Sequence, residues 1–234
     1  AVGFEALNAN TTGAGNTAVG FRALKTNTTG TRNLAIGYGA YDASDTENDN
    51  IAIGYDAMSD NTAGGTRNVA VGNYSEDALT SGDKNIGVGY GSLSAVTTGS
   101  ENVGIGDNAL GQLTTTNGNT ALGSNAGFAV AGASNTAIGQ YALQAATTTN
   151  DNTAVGASAL TANTGGASNT GIGSGSLATN TTGGYNTAIG AGALTANTTA
   201  SHNIAVGRLS LTANTTGTQN VSMGGESLST NTTG

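Results

Sequence analysis

The chain contains no cysteine, proline or tryptophan, and only 9% of its 234 residues are charged. Without cysteine it forms neither disulfides nor thiolate metal sites. Its formal net charge of -8 argues against nucleic acid as a partner, because phosphate binding needs a basic face. No apolar run approaches the roughly 18 residues of a membrane-spanning helix, so we expect no membrane span in this segment.

The residues that are abundant do not suit a disordered chain. Glycine contributes 39 residues, yet hydrophobic residues still make up 36%. Disordered chains are usually rich in charge and proline, and this chain is poor in both. The hydrophobic residues also recur at fixed positions, which favours a regular fold.

An internal repeat runs through the whole sequence, and it is the primary signal of a repeat architecture. If a recurrent Asn is taken as position one, the spacing is 17 residues, with one interval of 18 and one of 16. A partial copy precedes the first Asn, giving fourteen copies. Position one is occupied by Asn16, Asn33, Asn50, Asn68, Asn85, Asn102, Asn119, Asn135, Asn152, Asn169, Asn186, Asn203 and Asn220.

The other positions of the repeat predict a strand and turns. Positions two and four are mostly β-branched and share one face of a strand, whereas position three is small and faces the other way. Position nine is usually Leu, and "NTTG" or a similar string near positions twelve to fifteen is typical of a turn. Position five is Gly in every copy, which predicts a sharp bend: Gly3, Gly20, Gly37, Gly54, Gly72, Gly89, Gly106, Gly123, Gly139, Gly156, Gly173, Gly190, Gly207 and Gly224.

We therefore predict an all-β fold, a parallel β-solenoid or β-roll of about fourteen 17-residue coils with two short strands per coil. About three large aliphatic side chains per coil would be buried, and stacked coils would share one continuous core. The small residues at positions three and eight would lie outside, where neighbouring rolls could approach closely. Residues 1–234 are expected to form a single repeat array. It has no polar capping unit, so we expect it to belong to a longer array or to have its ends covered by neighbouring subunits.

The strings "NTAVG", "NIAIG", "NVAVG" and "NTAIG" resemble the head repeats of trimeric autotransporter adhesins, and related repeats occur in phage and environmental tail-fibre-like proteins. The resemblance covers essentially all of the chain. It implies a left-handed parallel β-roll, three chains side by side, and a rigid surface fibre that binds host or matrix ligands. The 17-residue period is longer than the family's usual repeat, and we expect the extra residues in the "TNTTG" turn.

For most candidate sites, the sequence pattern favours a structural role over a functional one. The Asn column is expected to form a structural ladder in which the side chains bond one another and the backbone. His202, the only histidine, lacks evident catalytic or metal-binding partners and is expected to lie in a solvated turn. Eleven of the fourteen acidic residues lie between Asp42 and Asp107; they could offer oxygen ligands to Ca²⁺, but their spacing favours solvated loop carboxylates. We expect no cofactor and no metal.

Two surface patterns leave ligand binding open. Position six is aromatic in the early copies, which could form a candidate ligand stripe for sugar rings or simply cover a corner of the coil. Its members are Phe4, Phe21, Tyr38, Tyr55 and Tyr90, with Tyr74 one place late. Threonine arrays can bind ice when they point outward from a strand, but here most threonines fall in turns. The "NTT" strings match a glycosylation acceptor at Asn10, Asn27, Asn180, Asn197, Asn214 and Asn231.

The sequence as a whole favours an extracellular structural fibre or adhesin segment, a rigid rod that presents a multivalent surface at a cell or virion surface. We expect a homotrimer or an end-to-end homopolymer, and a host-surface or matrix ligand. One alternative is a polymerising filament subunit without a specific ligand. Another is a monomeric ice- or carbohydrate-binding solenoid. We expect no enzymatic activity, because no constellation of nucleophile, base and orienting group is visible.

Overall fold

The fold is described from a computed structural model, which covers residues 1–61, 64–145 and 148–234. The chain divides into two compact units, Ala1–Gly118 and Asn119–Gly234, and each is a stack of parallel coils. The predicted all-β solenoid is confirmed: the described residues form thirteen short strands and no helix. Accordingly, nothing within these ranges is a helix long and apolar enough to cross a membrane.

Each strand has three residues, at positions two to four of the repeat. In the first unit the strands are β1 (Thr17–Val19), β2 (Leu34–Ile36), β3 (Ile51–Ile53), β4 (Val69–Val71), β5 (Ile86–Val88) and β6 (Val103–Ile105). In the second unit they are β7 (Thr120–Leu122), β8 (Thr136–Ile138), β9 (Thr153–Val155), β10 (Thr170–Ile172), β11 (Thr187–Ile189), β12 (Ile204–Val206) and β13 (Val221–Met223).

Within each unit, every strand pairs in parallel with the same positions of the next coil. Thr17 lies beside Leu34, for example, and Thr153 beside Thr170. The register survives the irregular intervals, since Ile51 still pairs with Val69 across 18 residues. Equivalent positions of the repeat are therefore stacked on one another throughout each unit.

The structure has one strand per coil, whereas the sequence predicted two. In the described coils, positions six to eleven form turns. Residues at positions seven and nine take left-handed backbone angles, as at Arg22 (φ 58°) and Leu24 (φ 51°). The coils nevertheless remain bonded here, because the Leu24 N–H donates to the Ala40 carbonyl at 3.1 Å. The segment thus keeps the stacking bonds of a strand without its extended backbone.

The prediction of which strand face is buried was wrong. The middle residue of each strand, usually Ala or Gly, is fully buried, while the two β-branched neighbours point outward. The reason is the narrow interior. A Cβ built on Gly104 would lie 2.9 Å from the Ala109 oxygen and 3.2 Å from Leu93 Cγ. The interior at position three therefore holds only Ala, Gly or Ser, and the larger side chains face out.

The core consists of the small residues at positions three and eight and the large residue at position nine. Both small positions are buried, so they offer no outer surface for close approach between rolls. Position nine supplies most of the large buried side chains: Leu24, Tyr41, Met58, Leu93, Leu110, Leu143, Leu160, Leu177, Leu194 and Leu211. Within each unit they form a hydrophobic column, which is interrupted at position nine by Glu76 in the first unit and by Gly127 in the second.

Glycine at position five is required for two reasons. Gly156 has φ 130°, which side chains other than glycine rarely adopt. In addition, a Cβ on Gly156 would lie 2.6 Å from the Gly173 carbonyl carbon of the next coil. The coils stack closely at this corner because both residues lack a side chain.

We expect Gly156→Ala to lower the free energy of unfolding by about 2–4 kcal/mol, from backbone strain and overpacking together. The measurement is urea and thermal unfolding followed by circular dichroism. Gly165→Ala is the matched control, because Gly165 is exposed and its added Cβ would meet only the Thr182 methyl at 3.3 Å. Equal losses in the two variants would contradict this explanation.

Candidate functional site

The Asn at position one closes each coil and joins it to the next. In the coil that begins at Asn169, its Nδ2 donates to the Gly183 carbonyl at 2.9 Å, fourteen residues later. Its Oδ1 accepts the backbone N–H of Asn186 at 2.9 Å. Both bonds are buried, where an unpartnered amide would be costly. One side chain thus fixes the length of its own coil and the register of its neighbour.

A second Asn ladder lies at position twelve, and the sequence analysis missed it by assigning this Asn to a turn. Asn180 Nδ2 donates to Asn163 Oδ1 at 2.9 Å and to the same Gly183 carbonyl at 2.9 Å. Ser replaces Asn in one early coil, and Leu, Val or Ala replaces it in five consecutive coils in the middle of the sequence, so polar and apolar residues occupy this position in blocks. Where Ser44 interrupts it, Asn27 Oδ1 is left without a partner in the described residues.

This second ladder contains the six "NTT" acceptor sites. Asn27, Asn180, Asn197 and Asn214 are fully buried, and Asn10 and Asn231 are partly buried. The Nδ2 atom that would carry a glycan donates a hydrogen bond within the core in each of the four buried residues. Glycosylation at these four is incompatible with the folded coil.

We expect Asn169→Ala to lower the free energy of unfolding by about 3 kcal/mol, because it leaves buried groups of two coils unpaired. Unfolding in urea would measure the loss. Thr182→Ala is the control, because Thr182 is exposed in a neighbouring turn and such substitutions usually cost under about 0.5 kcal/mol. A similar small loss in Asn169→Ala would show that the ladder does not hold the coils.

The outward side chains at positions two and four form what we call the strand face. In the first unit it is almost entirely aliphatic: Val19, Ile36, Ile86 and Ile105 are each 37–39% exposed. Neighbouring columns are roughly 6.6 Å apart along a strand, and coils about 4.8 Å apart. The result is a contiguous, regularly spaced apolar strip on this unit. Contiguous apolar patches of this kind mark interaction sites.

In the second unit the strand face has two distinct columns. Position four remains aliphatic, with Ile172 and Ile189 38–39% exposed. Position two instead carries five consecutive threonines, paired coil to coil in register: Thr120, Thr136, Thr153, Thr170 and Thr187. Their hydroxyls form no hydrogen bond within the part of the chain that the structure describes.

The aromatic column comprises Phe4, Phe21, Tyr38, Tyr55, Tyr74 and Tyr90, and the structure brings all six together. Phe21 and Tyr38 stack with ring centroids 4.8 Å apart, and Tyr38 and Tyr55 follow at 5.1 Å. Tyr74 and Tyr90 continue the column edge to face. The stacked rings from Phe4 to Tyr55 cover one another's faces and leave mainly their edges exposed. This arrangement suits a covered corner better than sugar rings, which would stack on open faces.

Ion pairs connect several coils at the surface. At position seventeen the Arg32 guanidinium donates to the Asp49 carboxylate at 2.5 and 2.7 Å, and Lys84 pairs with Glu101 at 2.7 Å. Arg32 holds the pKa of Asp49 below its usual value, chiefly through this hydrogen bond. Exposed ion pairs contribute little stability. They do favour the native stacking of the coils, because a coil displaced by one repeat would lose its oppositely charged neighbour.

A group of aspartates lies in the first unit. Asp42, Asp56, Asp60 and Asp77 lie near one another, and burial raises the pKa of Asp42, Asp56 and Asp77, helped by their mutual repulsion. The pKa of Asp77 rises to about 6. Among the described residues, no three acidic or histidine side chains are placed to hold a metal ion.

His202 stands in the exposed position-seventeen column. Its ring stacks on Tyr185 of the preceding coil, with centroids 5.1 Å apart and planes 14° from parallel. The two residues occupy the positions that carry ion pairs in other coils. His202 thus makes a stacking contact between coils at the protein surface.

Glu76 is a second feature that the sequence analysis missed. It occupies position nine, the position of the buried leucines, and is itself fully buried. Burial raises the pKa of its carboxyl well above the usual value. Aligning the repeats by position could have revealed it, since Glu76 is the only charged residue in that column.

Comparison of the chain with protein-family models, curated proteins and solved structures finds no match. The strand face, the aromatic column and the Asn ladders are therefore interpreted from their own geometry.

Proposed function

We propose that this chain is a structural segment of an extracellular fibre, and that copies of it assemble side by side through their strand faces into a homotrimer. The observation that carries the proposal is the strand face itself. It is flat and regular, and in the first unit it is almost wholly aliphatic. The remaining surface of the coils is rich in Thr, Asn and Gly, which suit water.

The chemistry of the face supports a second copy as its occupant. Each unit buries mostly alanine, glycine and leucine in its own interior and turns its valines and isoleucines outward. In an isolated chain the outward valines and isoleucines would bury no apolar surface against a partner. Apolar side chains removed from water contribute about 25 cal/mol per Å², and the matching coil repeat lets a second copy bury its face at every level.

The resemblance to adhesin and tail-fibre repeats supports the same assembly and the extracellular location. In that setting the trimer would act as a stiff spacer that presents repeated surfaces, so that weak contacts with a host or matrix ligand add together. Such a role needs no reaction centre, and we propose that the segment is not an enzyme. The cysteine-free composition is compatible with a surface location.

We expect the wild-type chain to have a native mass of three times 22.5 kDa by light scattering. The double variant Ile172→Asp, Ile189→Asp places two charges on the strand face and should shift the mass to that of one chain. Its circular dichroism spectrum should keep the β signature, because both side chains point away from the core.

The matched control for this experiment is Thr182→Asp, which adds a charge on an exposed turn and should leave the trimer intact. A wild-type chain that stays at 22.5 kDa at every concentration would contradict the trimer. Large species that grow with concentration, and that survive the strand-face charges, would indicate an end-to-end filament instead.

The threonine row favours a second candidate, a monomeric ice-binding solenoid. The sequence placed most threonines in turns, and many turn threonines donate to the backbone of the next coil, as Thr181 does to Thr198. The five position-two threonines instead point outward beside a column of methyl-bearing side chains. Regular hydroxyl and methyl groups on a flat sheet are the arrangement that a surface needs to order water.

If the chain binds ice, the wild-type protein should slow ice growth in a thermal-hysteresis measurement. Thr153→Val with Thr170→Val removes two hydroxyls while keeping the shape, and should reduce the effect severalfold. Gly165→Ala, away from the strand face, is the control. Ice growth unchanged by the wild-type protein would eliminate this candidate.

A further inference from the structure

The Glu76 carboxyl lies in the hydrophobic column of the first unit. Met58 and Leu93 occupy the same position in the coils before and after it, and both are fully buried. Neither carboxyl oxygen has a hydrogen-bond partner among the described residues. An ionised carboxylate without partners is very costly in such a place, so the group must be neutral in the closed coil.

The next coil leaves room for the Glu76 side chain because the residue that faces it is a glycine. Position three of that coil is Gly87, and a Cβ there would lie 3.0 Å from Glu76 Oε1 and 2.6 Å from Ser75 Oγ. Ser75 does not compensate the carboxyl, since its hydroxyl donates to the Gly87 and Ser92 carbonyls. The Glu76 carboxyl therefore occupies the space that the absent Gly87 side chain leaves, but it gains no hydrogen bond there.

No countercharge stands against the carboxyl. The ionisable groups of its own coil and of the two flanking coils are all partly or fully exposed, and none contributes to the shift in its pKa. Asp60 and Asp77 are both acidic and provide no positive charge. Lys84 forms an ion pair with Glu101. The complete set is Tyr55, Asp56, Asp60, Arg67, Tyr74, Asp77, Asp83, Lys84, Tyr90 and Glu101.

We propose that Glu76 makes the coil of residues 68–84 a pH-sensitive opening point, closed while the carboxyl is neutral and opening as it ionises. The direction follows from linkage. Below the ordinary pKa of glutamate, the carboxyl is neutral in both the closed and the open coil, and the closed coil keeps its full stability. As pH rises, only the open coil can ionise, so opening becomes up to about tenfold more frequent per pH unit until the buried group also ionises.

The opening would expose the middle of the first unit. Strand β4 belongs to this coil, and the Leu79 side chain is buried in the same coil. Loss of the coil therefore interrupts both the core column and the strand face. Neutral to alkaline conditions would loosen the first unit locally, whereas acidic conditions would keep it closed. This inference does not depend on the proposed assembly.

Hydrogen exchange of the full-length chain, read by mass spectrometry between pH 4.5 and 8 and corrected for intrinsic exchange rates, tests the proposal. In the wild type, opening of peptides within residues 69–93 should increase at least tenfold across this range. Glu76→Gln and Glu76→Leu should remove the larger part of that increase, because neither side chain ionises. The smaller part that remains comes from Asp77, which is only half-buried and whose pKa is also raised. Peptides around Leu160, which occupies the same position in the second unit, serve as the internal reference.

Asp77→Asn is the matched control, because it removes a neighbouring acid and leaves the buried one. It should retain most of the wild-type pH dependence. The proposal is overturned if residues 69–93 open equally at pH 4.5 and 8 in the wild type. It is equally overturned if Glu76→Gln keeps the same dependence, or if Asp77→Asn alone abolishes it.

Discussion

Closure of each coil by the Asn at position one is the constraint on which the rest of the structure depends. A three-residue strand cannot define a coil by itself, and neither can a run of turns. The Asn side-chain amide donates to a carbonyl near the end of its own coil, as Asn169 does to Gly183. Its side-chain oxygen accepts a backbone N–H from the next coil. The short strands, the left-handed turns and the glycine corner then lie in register from one coil to the next within each unit.

That circumference also decides which residues face the solvent. A small coil leaves space for alanine and glycine on the inner strand face, and its one large interior residue comes from the turn segment. The β-branched residues are therefore displaced to the outside, where they form an apolar strip on each unit. The same narrow interior explains why Glu76 needs Gly87 opposite it. Interior volume, more than the hydrophobicity of single residues, determines the surface of this fold.

Much of the fold could be predicted from the sequence because periodicity alone specifies a stack of equal coils. The Asn column, the invariant glycine and the strand at positions two to four can all be located along the chain from the repeat. The orientation of the strand could not be obtained in this way. The alternation of side chains along a strand predicts that Ala18 and Val19 lie on opposite faces of the sheet, but it does not predict which face is buried. The usual preference for burying the larger residue predicts the wrong face here.

The candidate sites were harder to predict for a related reason. The aromatic column was visible as a pattern, yet only the ring distances reveal that neighbouring rings cover each other's faces. Glu76 and the second Asn ladder were hidden because a buried polar residue looks like a surface residue in sequence. Its partners, or their absence, depend on contacts 17 residues away that a local pattern does not contain.

The tolerance of the strand register to changes in coil length has a consequence for how such chains vary. An 18-residue interval and a 16-residue interval both leave the strands paired residue for residue within their units. Length differences are thus absorbed by the turns, while the face built from the strands keeps its spacing. A change in the length of a turn can therefore alter the loops at the surface without altering the spacing of the strand face.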